Sequence, residues 1–203
     1  MPVKSIKQNY VIPDEIMPML ETFRQMVNHC IRIGLENNVS TLRKLSILSY
    51  HELEGYDIQS KYKLTAISSA CGRLSQMKRS ISKGVIANSP YVSKPYLVSC
   101  YGFKINGMLL SFPVGSRKWI HVPLNSHTQQ VLHDKSLKVR SFTITPDSIS
   151  LCIQKQVTEI IPENVIGIDR NLRNVAISDG TTHVMYRTGK LLSIKENTSY
   201  VLS

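Results

Sequence analysis

The apolar residues near the amino terminus change from a strand-like to a helical period at Pro13. The segment VKSIKQNYVI resembles a strand, and the fixed backbone of Pro13 closes it. From Asp14, which we predict to be a helix N-cap, apolar residues recur at steps of three and four positions. The predicted buried stripe of this first helix is Ile16, Leu20, Phe23, Val27, Ile31 and Gly34.

Two further helices are predicted before residue 90. The second begins near Ser40 and carries Leu42, Leu45 and Leu48. The third follows the EGYD turn and covers roughly residues 61–83. Its predicted buried stripe is Leu64, Ile67, Cys71, Leu74, Met77 and Ile81. Together the three helices predict a small bundle over residues 14–89.

Beyond residue 90 the pattern becomes strand-like. The segments YLVSCYGF, MLLSFP and RKWIHVPL are short and rich in aromatic or branched residues, and Gly, Asn or Pro separates them. Asn106–Gly107 predicts a hairpin turn. Pro146–Asp147 predicts another turn, between KVRSFTIT and SISLCIQKQV.

A short helix is expected after Asn125, with Val131 and Leu132 directed inward. We expect residues 1–13 and 90–157 to close a small β-barrel. The helical bundle is then an insertion between the first and second strands of that barrel.

Three short strands are predicted within residues 160–203. VIGID forms the first, VAIS the second and THVMYR the third, with turns at LRN and at Asp179–Gly180. The apolar residues of VIGID predict a buried strand, yet Asp169 ends it. A buried carboxylate costs several kcal/mol unless something pairs with it. Asp169 is therefore the candidate functional residue of this meander.

Positive charge is concentrated in one long segment. The chain has 203 residues, with 25 Lys and Arg against 14 Asp and Glu. Residues 58–133 contain no Asp or Glu, and ten of the basic residues lie there. An acid-free block suits a polyanion, because each phosphate that is neutralised releases counterions. An anionic membrane and a merely solvated surface are the alternatives. The predicted nucleic-acid contacts are Lys61, Lys63, Arg73, Lys78, Arg79, Lys83, Lys94, Arg117 and Lys118.

The composition is that of a globular, intracellular protein. Hydrophobic residues make up 42% of the chain and charged residues 19%. No apolar run approaches the roughly 18 residues of a membrane-spanning helix, and MPVKSIKQNY lacks a secretory core. We therefore expect a cytoplasmic protein with no membrane partner. The four cysteines form no C-x-x-C pair, which predicts reduced thiols and no zinc site, and the six histidines show no metal-ligand spacing.

A carboxylate on the first strand of a meander is typical of RNase H-like nucleases. Their sites gather three or four acids around two divalent ions, which bind the attacking water and the leaving oxygen of a phosphodiester. Mg²⁺ prefers hard oxygen ligands and would compensate the charge of Asp169. Two alternatives stay open. Asp169 could instead cap the turn near Asn171 and Leu172. The loop could also bind ATP as in actin-like ATPases, although those loops usually carry Gly and a hydroxyl residue after the Asp.

The segment GIDRNLRNVAISDG resembles the first catalytic motif of the RuvC-like nuclease in the TnpB family, also called OrfB. Members are transposon-encoded, RNA-guided DNA endonucleases related to type V CRISPR effectors. The order of segments is also similar: a leading strand, a basic helical insertion, a barrel containing Pro123–Asn125, then the GID motif. Many members have glycine at the position of Asn171.

The resemblance implies an α+β fold of three parts. Residues 1–13 and 90–157 would form a wedge-like barrel, residues 14–89 a recognition-type helical insertion, and residues 160–203 the first three strands of an RNase H-like (RuvC) domain. It also implies guide RNA and target DNA as partners and a catalytic, Mg²⁺-binding role for Asp169.

The family's later Glu, last Asp and zinc ribbon have no counterpart in this sequence, and SIKENTSYVLS resembles a helix barely begun. We therefore expect the front part of a longer protein, which should not cut DNA by itself. The alternatives are a truncated remnant that binds nucleic acid without chemistry and an actin-like ATPase fragment. Four rings are candidates for base stacking, although we favour a core position for each: Tyr91, Tyr96, Tyr101 and Trp119.

Overall fold

The computed structural model describes residues 3–115, 118–155, 157, 164–171 and 173–187. The chain divides into two compact units, Met1–Val157 and Thr158–Ser203. Throughout the described ranges, every helix is too short or too polar to cross a membrane.

The described residues of the first unit form four helices and seven strands. The helices are α1 (Met17–Glu36), α2 (Leu42–Ser49), α3 (Ser60–Ser82) and α4 (Ser126–Leu132). The strands are β1 (Val3–Asn9), β2 (Leu97–Ser99), β3 (Lys104–Asn106), β4 (Leu109–Pro113), β5 (Trp119–Pro123), β6 (Leu137–Ile144) and β7 (Ser148–Lys155). Short 3-10 turns cover Asp14–Ile16 and His51–Leu53.

Helix α1 forms the centre of the bundle, and all six residues of its predicted stripe are buried. Gly34 allows close packing, because a Cβ there would lie 2.9 Å from the Val39 carbonyl oxygen and would overlap Leu74 of α3. The predicted N-cap is wrong: Asp14 opens the 3-10 turn, and α1 begins three residues later, with a proline in its first turn.

Helix α3 buries a different face from the one that its sequence predicts. Ile67 and Leu74 are buried as expected, but Leu64 and Ile81 are 46% and 53% exposed. The residues that α3 buries beside them are Tyr62, Thr65, Ala66 and Ala70. In α2, likewise, Leu45 is buried whereas Leu42 is exposed.

A four-stranded antiparallel sheet joins the two ends of the first unit in the order β1-β7-β6-β2. Ile6 lies opposite Leu151, which lies opposite Phe142, and this row is buried. The neighbouring row, Lys7, Ser150, Thr143 and Val98, lies on the outer face. Since β1 and β2 form the two edges, α1, α2 and α3 connect opposite sides of one sheet.

A second antiparallel sheet has the order β3-β4-β5. Asn106 pairs with Leu109, so Gly107 is the first of two loop residues, and its φ of +54° suits that position of a tight hairpin. The two sheets contact each other through Phe112 and Phe142, whose ring centroids are 5.2 Å apart. Among the described strands, no strand of one sheet pairs with a strand of the other. The expectation of a closed β-barrel is therefore wrong for these strands.

The second unit contains a three-stranded antiparallel meander: β8 (Gly167–Arg170), β9 (Asn174–Ser178) and β10 (His183–Arg187). The predicted strands are present, but their burial differs from expectation. Val165, Ile166 and Ile168 are each more than 60% exposed. The expectation of a buried first strand is therefore wrong for these residues.

Candidate nucleic-acid interface

Helix α3 carries five of the nine predicted contact residues along its length. The Lys63 ammonium donates to the Glu54 carbonyl oxygen at 3.3 Å, and the Lys78 ammonium donates to the Asn38 carbonyl oxygen at 3.0 Å. Both are neutral partners, so the positive charges remain available to a phosphate. The bonds hold these two side chains near the surface of the bundle.

Arg73 is directed toward the segment before β2 rather than into open solvent. Its Nη1 atom donates to the Ser69 hydroxyl at 3.0 Å, and its guanidinium lies 5.5 Å from the centroid of the Tyr96 ring. The Tyr96 hydroxyl in turn forms a 2.5 Å hydrogen bond with Ser69. These contacts, none of which is with an acidic side chain, fix the guanidinium, and its cation–π contact is favourable.

The Tyr96 ring contacts Phe23 as well as Arg73. Its ring packs edge-on against Phe23, with centroids 5.1 Å apart. Burial raises the pKa of the Tyr96 phenol, so the ring stays neutral at physiological pH. Tyr96 therefore supports Arg73 rather than offering a free stacking face.

A groove of about 650 Å³ lies between α3, the segment before β2 and the polar face of the four-stranded sheet. We call it the basic groove, after its cations Lys7, Arg73 and Lys94. Lys7 comes from β1, Arg73 from α3, and Lys94 from the connecting segment. Thr143, Thr145 and Ser148 add hydroxyl groups to its lining. Three cations from separate elements in one groove form a site suited to phosphate oxygens.

Asp147 is the only acid among the described residues that line the basic groove. The Thr145 hydroxyl donates to its Oδ1 at 2.6 Å. This hydrogen bond, assisted by nearby Lys7, lowers the pKa of the Asp147 carboxyl. Its charge offsets one of the three cations, and the groove remains net positive.

The remaining predicted contacts are dispersed. Lys118 forms a 2.6 Å ion pair with Glu15, which already compensates its charge. Lys61 packs its side chain against Gly102, and burial lowers the pKa of its ammonium. Arg79 and Lys83 are exposed near the end of α3, and Arg117 lies outside the described residues. The structure thus brings Arg73 and Lys94 together, and the other predicted residues that it describes lie apart from them.

The four candidate rings occupy different environments. Tyr91 and Tyr101 are 70% and 57% exposed, and Trp119 is 38% exposed. The preferred core position is therefore wrong for these three, while Tyr96 is half-buried. The Tyr91 hydroxyl accepts a hydrogen bond from Arg24 at 3.0 Å, which fixes this ring at the rim of the basic groove.

Asp169 lies on β8 opposite Ala176 of β9 and is exposed. The Asn171 side chain donates to its Oδ2 at 3.2 Å. Asp169 is therefore bonded within its own loop, as the turn-capping alternative requires, but through a side-chain amide rather than the backbone. Because the carboxylate is solvated, it needs no cation to offset a desolvation cost.

Asp179, the other acid of the meander, accepts hydrogen bonds within its own turn. Its carboxylate accepts backbone hydrogen bonds from Thr182 and Thr181 at 2.7 and 2.9 Å, together with their hydroxyls. These bonds hold the pKa of Asp179 well below its usual range. Asp179 is consequently committed to local structure.

The described residues do not assemble a magnesium site. Across the ranges that the structure describes, no three His, Cys, Asp or Glu side chains lie close enough to hold a metal. Asp169 alone offers one carboxylate, whereas a two-ion nuclease centre uses several. The residues described here therefore do not fit such a centre by themselves.

Lys7 and the hydroxyl residues of the basic groove were not predicted as contacts. Lys7 follows Ile6 in a strand, so alternation alone could have placed it on the polar face. Its approach to Arg73 depends on the pairing of β1 with β7, which no local pattern reveals.

Comparisons with protein-family models and with curated proteins give no match to this chain.

Proposed function

We propose that this chain binds nucleic acid through its basic groove, as part of a TnpB-like, RNA-guided DNA endonuclease. In this proposal the two sheets of the first unit serve as a wedge-like domain and α1–α3 as a recognition-type insertion. The meander serves as the first three strands of an RNase H-like domain. Guide RNA and target DNA are the partners.

One observation carries the binding proposal. Lys7, Arg73 and Lys94 come from distant parts of the chain and line one groove, in which Asp147 is the single acid among the lining residues that the structure describes. A merely solvated surface gives no reason for such convergence, since dispersed cations repel each other less. Binding to a phosphate backbone favours this convergence of cations, because contacts to successive phosphates release counterions.

Binding of a fluorescein-labelled single-stranded oligouridine tests this proposal. The wild-type affinity should fall steeply as salt rises from about 50 to about 200 mM. Replacing Lys7, Arg73 and Lys94 with Ala should reduce the slope of log affinity against log salt by about two, since each lost phosphate contact removes roughly 0.7.

The matched control replaces Arg43, Lys44 and Lys138 with Ala. These residues lie outside the lining of the basic groove, and the change removes the same charge. The control should change the slope by much less. Equal slopes for the two triple variants would assign binding to net charge rather than to the basic groove.

The nuclease part of the proposal depends on Asp169. Its support is the resemblance of GIDRNLRNVAISDG and the position of Asp169 on the first strand of a meander. The test supplies the remaining nuclease segment of a TnpB family member in trans. Mg²⁺-dependent cleavage that Asp169→Asn abolishes and Asp179→Asn retains would support the proposal.

A nucleic-acid-binding protein without nuclease chemistry is the second candidate. The hydrogen bond from Asn171 to Asp169 favours it, because a carboxylate occupied with its own loop needs no metal. This candidate predicts salt-sensitive binding that is unaffected by Mg²⁺, and no cleavage after complementation in trans.

A further inference from the structure

The second sheet presents a polar and aromatic outer face. Along its strands, Ile105, Leu110, Phe112, Ile120 and Val122 are directed inward. The alternate residues face outward, since successive side chains point to opposite faces of a sheet. They include one row across the three strands, in which Lys104 pairs with Ser111 and Ser111 with His121.

Side-chain contacts within this outer face orient the residues of this row. The Ser111 hydroxyl and His121 Nδ1 form a 2.8 Å hydrogen bond, and Ser111 is only 6% exposed. The imidazole of His121 is thus oriented by a neighbouring strand while the residue itself is exposed. Lys104 Nζ lies 5.3 Å from the centroid of the Trp119 ring, one row away.

We propose that this face is a stacking platform for an unpaired nucleic-acid base. The Lys104 ammonium lies over the Trp119 ring in the free protein, so the base stacks on this ring as the ammonium moves from it to a phosphate that flanks the base. His121 lies beside the ring. Ser111 is a positioning residue, since it acts on the ligand only through His121. The inference rests on the proposed nucleic-acid function and adds a second surface to it, distinct from the basic groove.

Charge and chemistry favour this occupant over a protein or a lipid. The sheet and its loops lie within residues 58–133, which contain no Asp or Glu, so no acid competes for Lys104 within these strands. A large ring beside a cation matches a base with its phosphate, and stacking is tolerant of sequence because every base has a π-face. Bases inside a duplex are already stacked on each other, so the platform takes single strands.

The single tryptophan of the chain makes the proposal directly measurable. Tryptophan emission is followed while oligouridine RNA, oligothymidine DNA, a blunt RNA duplex or an abasic oligonucleotide of equal length is added. Either single strand should quench the emission. The duplex and the abasic strand should bind without quenching, since they offer phosphates but no free base.

Variants then separate this platform from the basic groove. Trp119→Ala should weaken single-strand binding by about five- to one-hundred-fold, and Trp119→Phe should retain most of the affinity. Tyr101→Ala, which removes another exposed ring, is the control and should have little effect. The basic-groove triple variant should lose affinity for every oligonucleotide yet still show quenching by single strands at saturation.

The outcomes distinguish the two proposals. Tight, salt-sensitive binding with unchanged tryptophan emission, or equal affinity of Trp119→Ala and wild type, would overturn the platform while leaving the basic groove intact. Equal quenching by duplex, single strand and abasic strand would also overturn it. If the folded protein binds none of the oligonucleotides, the proposed function itself is overturned.

Discussion

At the scale of single residues, Cys30 and Cys100 show how burial sets reactivity. Cys30 lies in the core of the bundle, whereas Cys100 is exposed at the end of β2. Burial raises the pKa of the Cys30 thiol to about 11. The thiolate is the reactive form, so Cys30 is protected both by its raised pKa and by its neighbours.

We therefore predict that iodoacetamide at pH 8 labels Cys100 at least about a hundredfold faster than Cys30. Mass spectrometry of the digested protein gives both rates. After unfolding in guanidinium the two rates should converge. Comparable labelling of Cys30 in the folded protein would contradict its burial.

The same thiol makes stability depend on pH. The folded-state pKa of Cys30 is raised, so above the ordinary thiol pKa of about 8.5 the unfolded chain loses this proton first. The free energy of unfolding should fall as pH rises from about 8.5 toward 11. Cys30→Ala should remove this part of the dependence and Cys71→Ala should not, as urea unfolding at each pH would show.

At the scale of elements, one buried phenol links α3 to the second sheet. Tyr62, in the first turn of α3, is fully buried, and its hydroxyl donates to the Pro113 carbonyl oxygen at 2.7 Å. This bond ties the start of α3 to the end of β4. Its loss would leave a buried carbonyl oxygen without this donor.

We predict that Tyr62→Phe lowers the free energy of unfolding by about 1–3 kcal/mol, because the ring is kept and only the hydrogen bond is lost. Urea unfolding measures the change. Tyr101→Phe alters an exposed ring and should stay within about 0.5 kcal/mol of wild type. A similar loss of unfolding free energy in both variants would show that the Tyr62 hydrogen bond stabilises the fold no more than an exposed tyrosine hydroxyl does.

The elements also show which features could be predicted from sequence. The predicted buried stripe of α1 is correct because one face of this helix packs against both α2 and α3. The stripe of α3 failed because this helix contacts α1 and the sheet together, so the small Ala66 and Ala70 are buried while the larger Leu64 is exposed. Period alone does not distinguish these cases, since it ranks faces by hydrophobicity and not by available space.

The candidate sites show the same limit of prediction from sequence. Arg73 and Lys94 were found through charge, which is visible in the sequence. Their convergence with Lys7 requires the pairing of β1 with β7, across about two-thirds of the chain, and no local signal specifies it. For Asp169 the position on a strand was predicted correctly, but its burial was not, because neighbouring apolar residues indicated a core that the described strands do not form.

At the scale of the whole molecule, the hydrophobic core belongs to the first unit. The core cluster extends from Ile12 to Leu151 and draws on both sheets and on α1, α2 and α3. No described residue of the meander contributes to it, and β8 and β10 are exposed along their lengths. Cooperative folding requires a shared core, so the two units should differ sharply in stability.

We predict that a fragment of residues 1–157 unfolds in one cooperative transition, with a midpoint within a few degrees of the full chain. It should also keep salt-sensitive oligouridine binding and quenching of Trp119, since the basic groove and the second sheet both lie within it. A fragment of residues 158–203 should show no cooperative transition, because a three-stranded meander with exposed apolar side chains lacks a core of its own. Circular dichroism melts of both fragments and of the full chain give these midpoints. Loss of the transition in the 1–157 fragment would show that the meander stabilises the first unit, and binding would then have to be assigned to the intact chain.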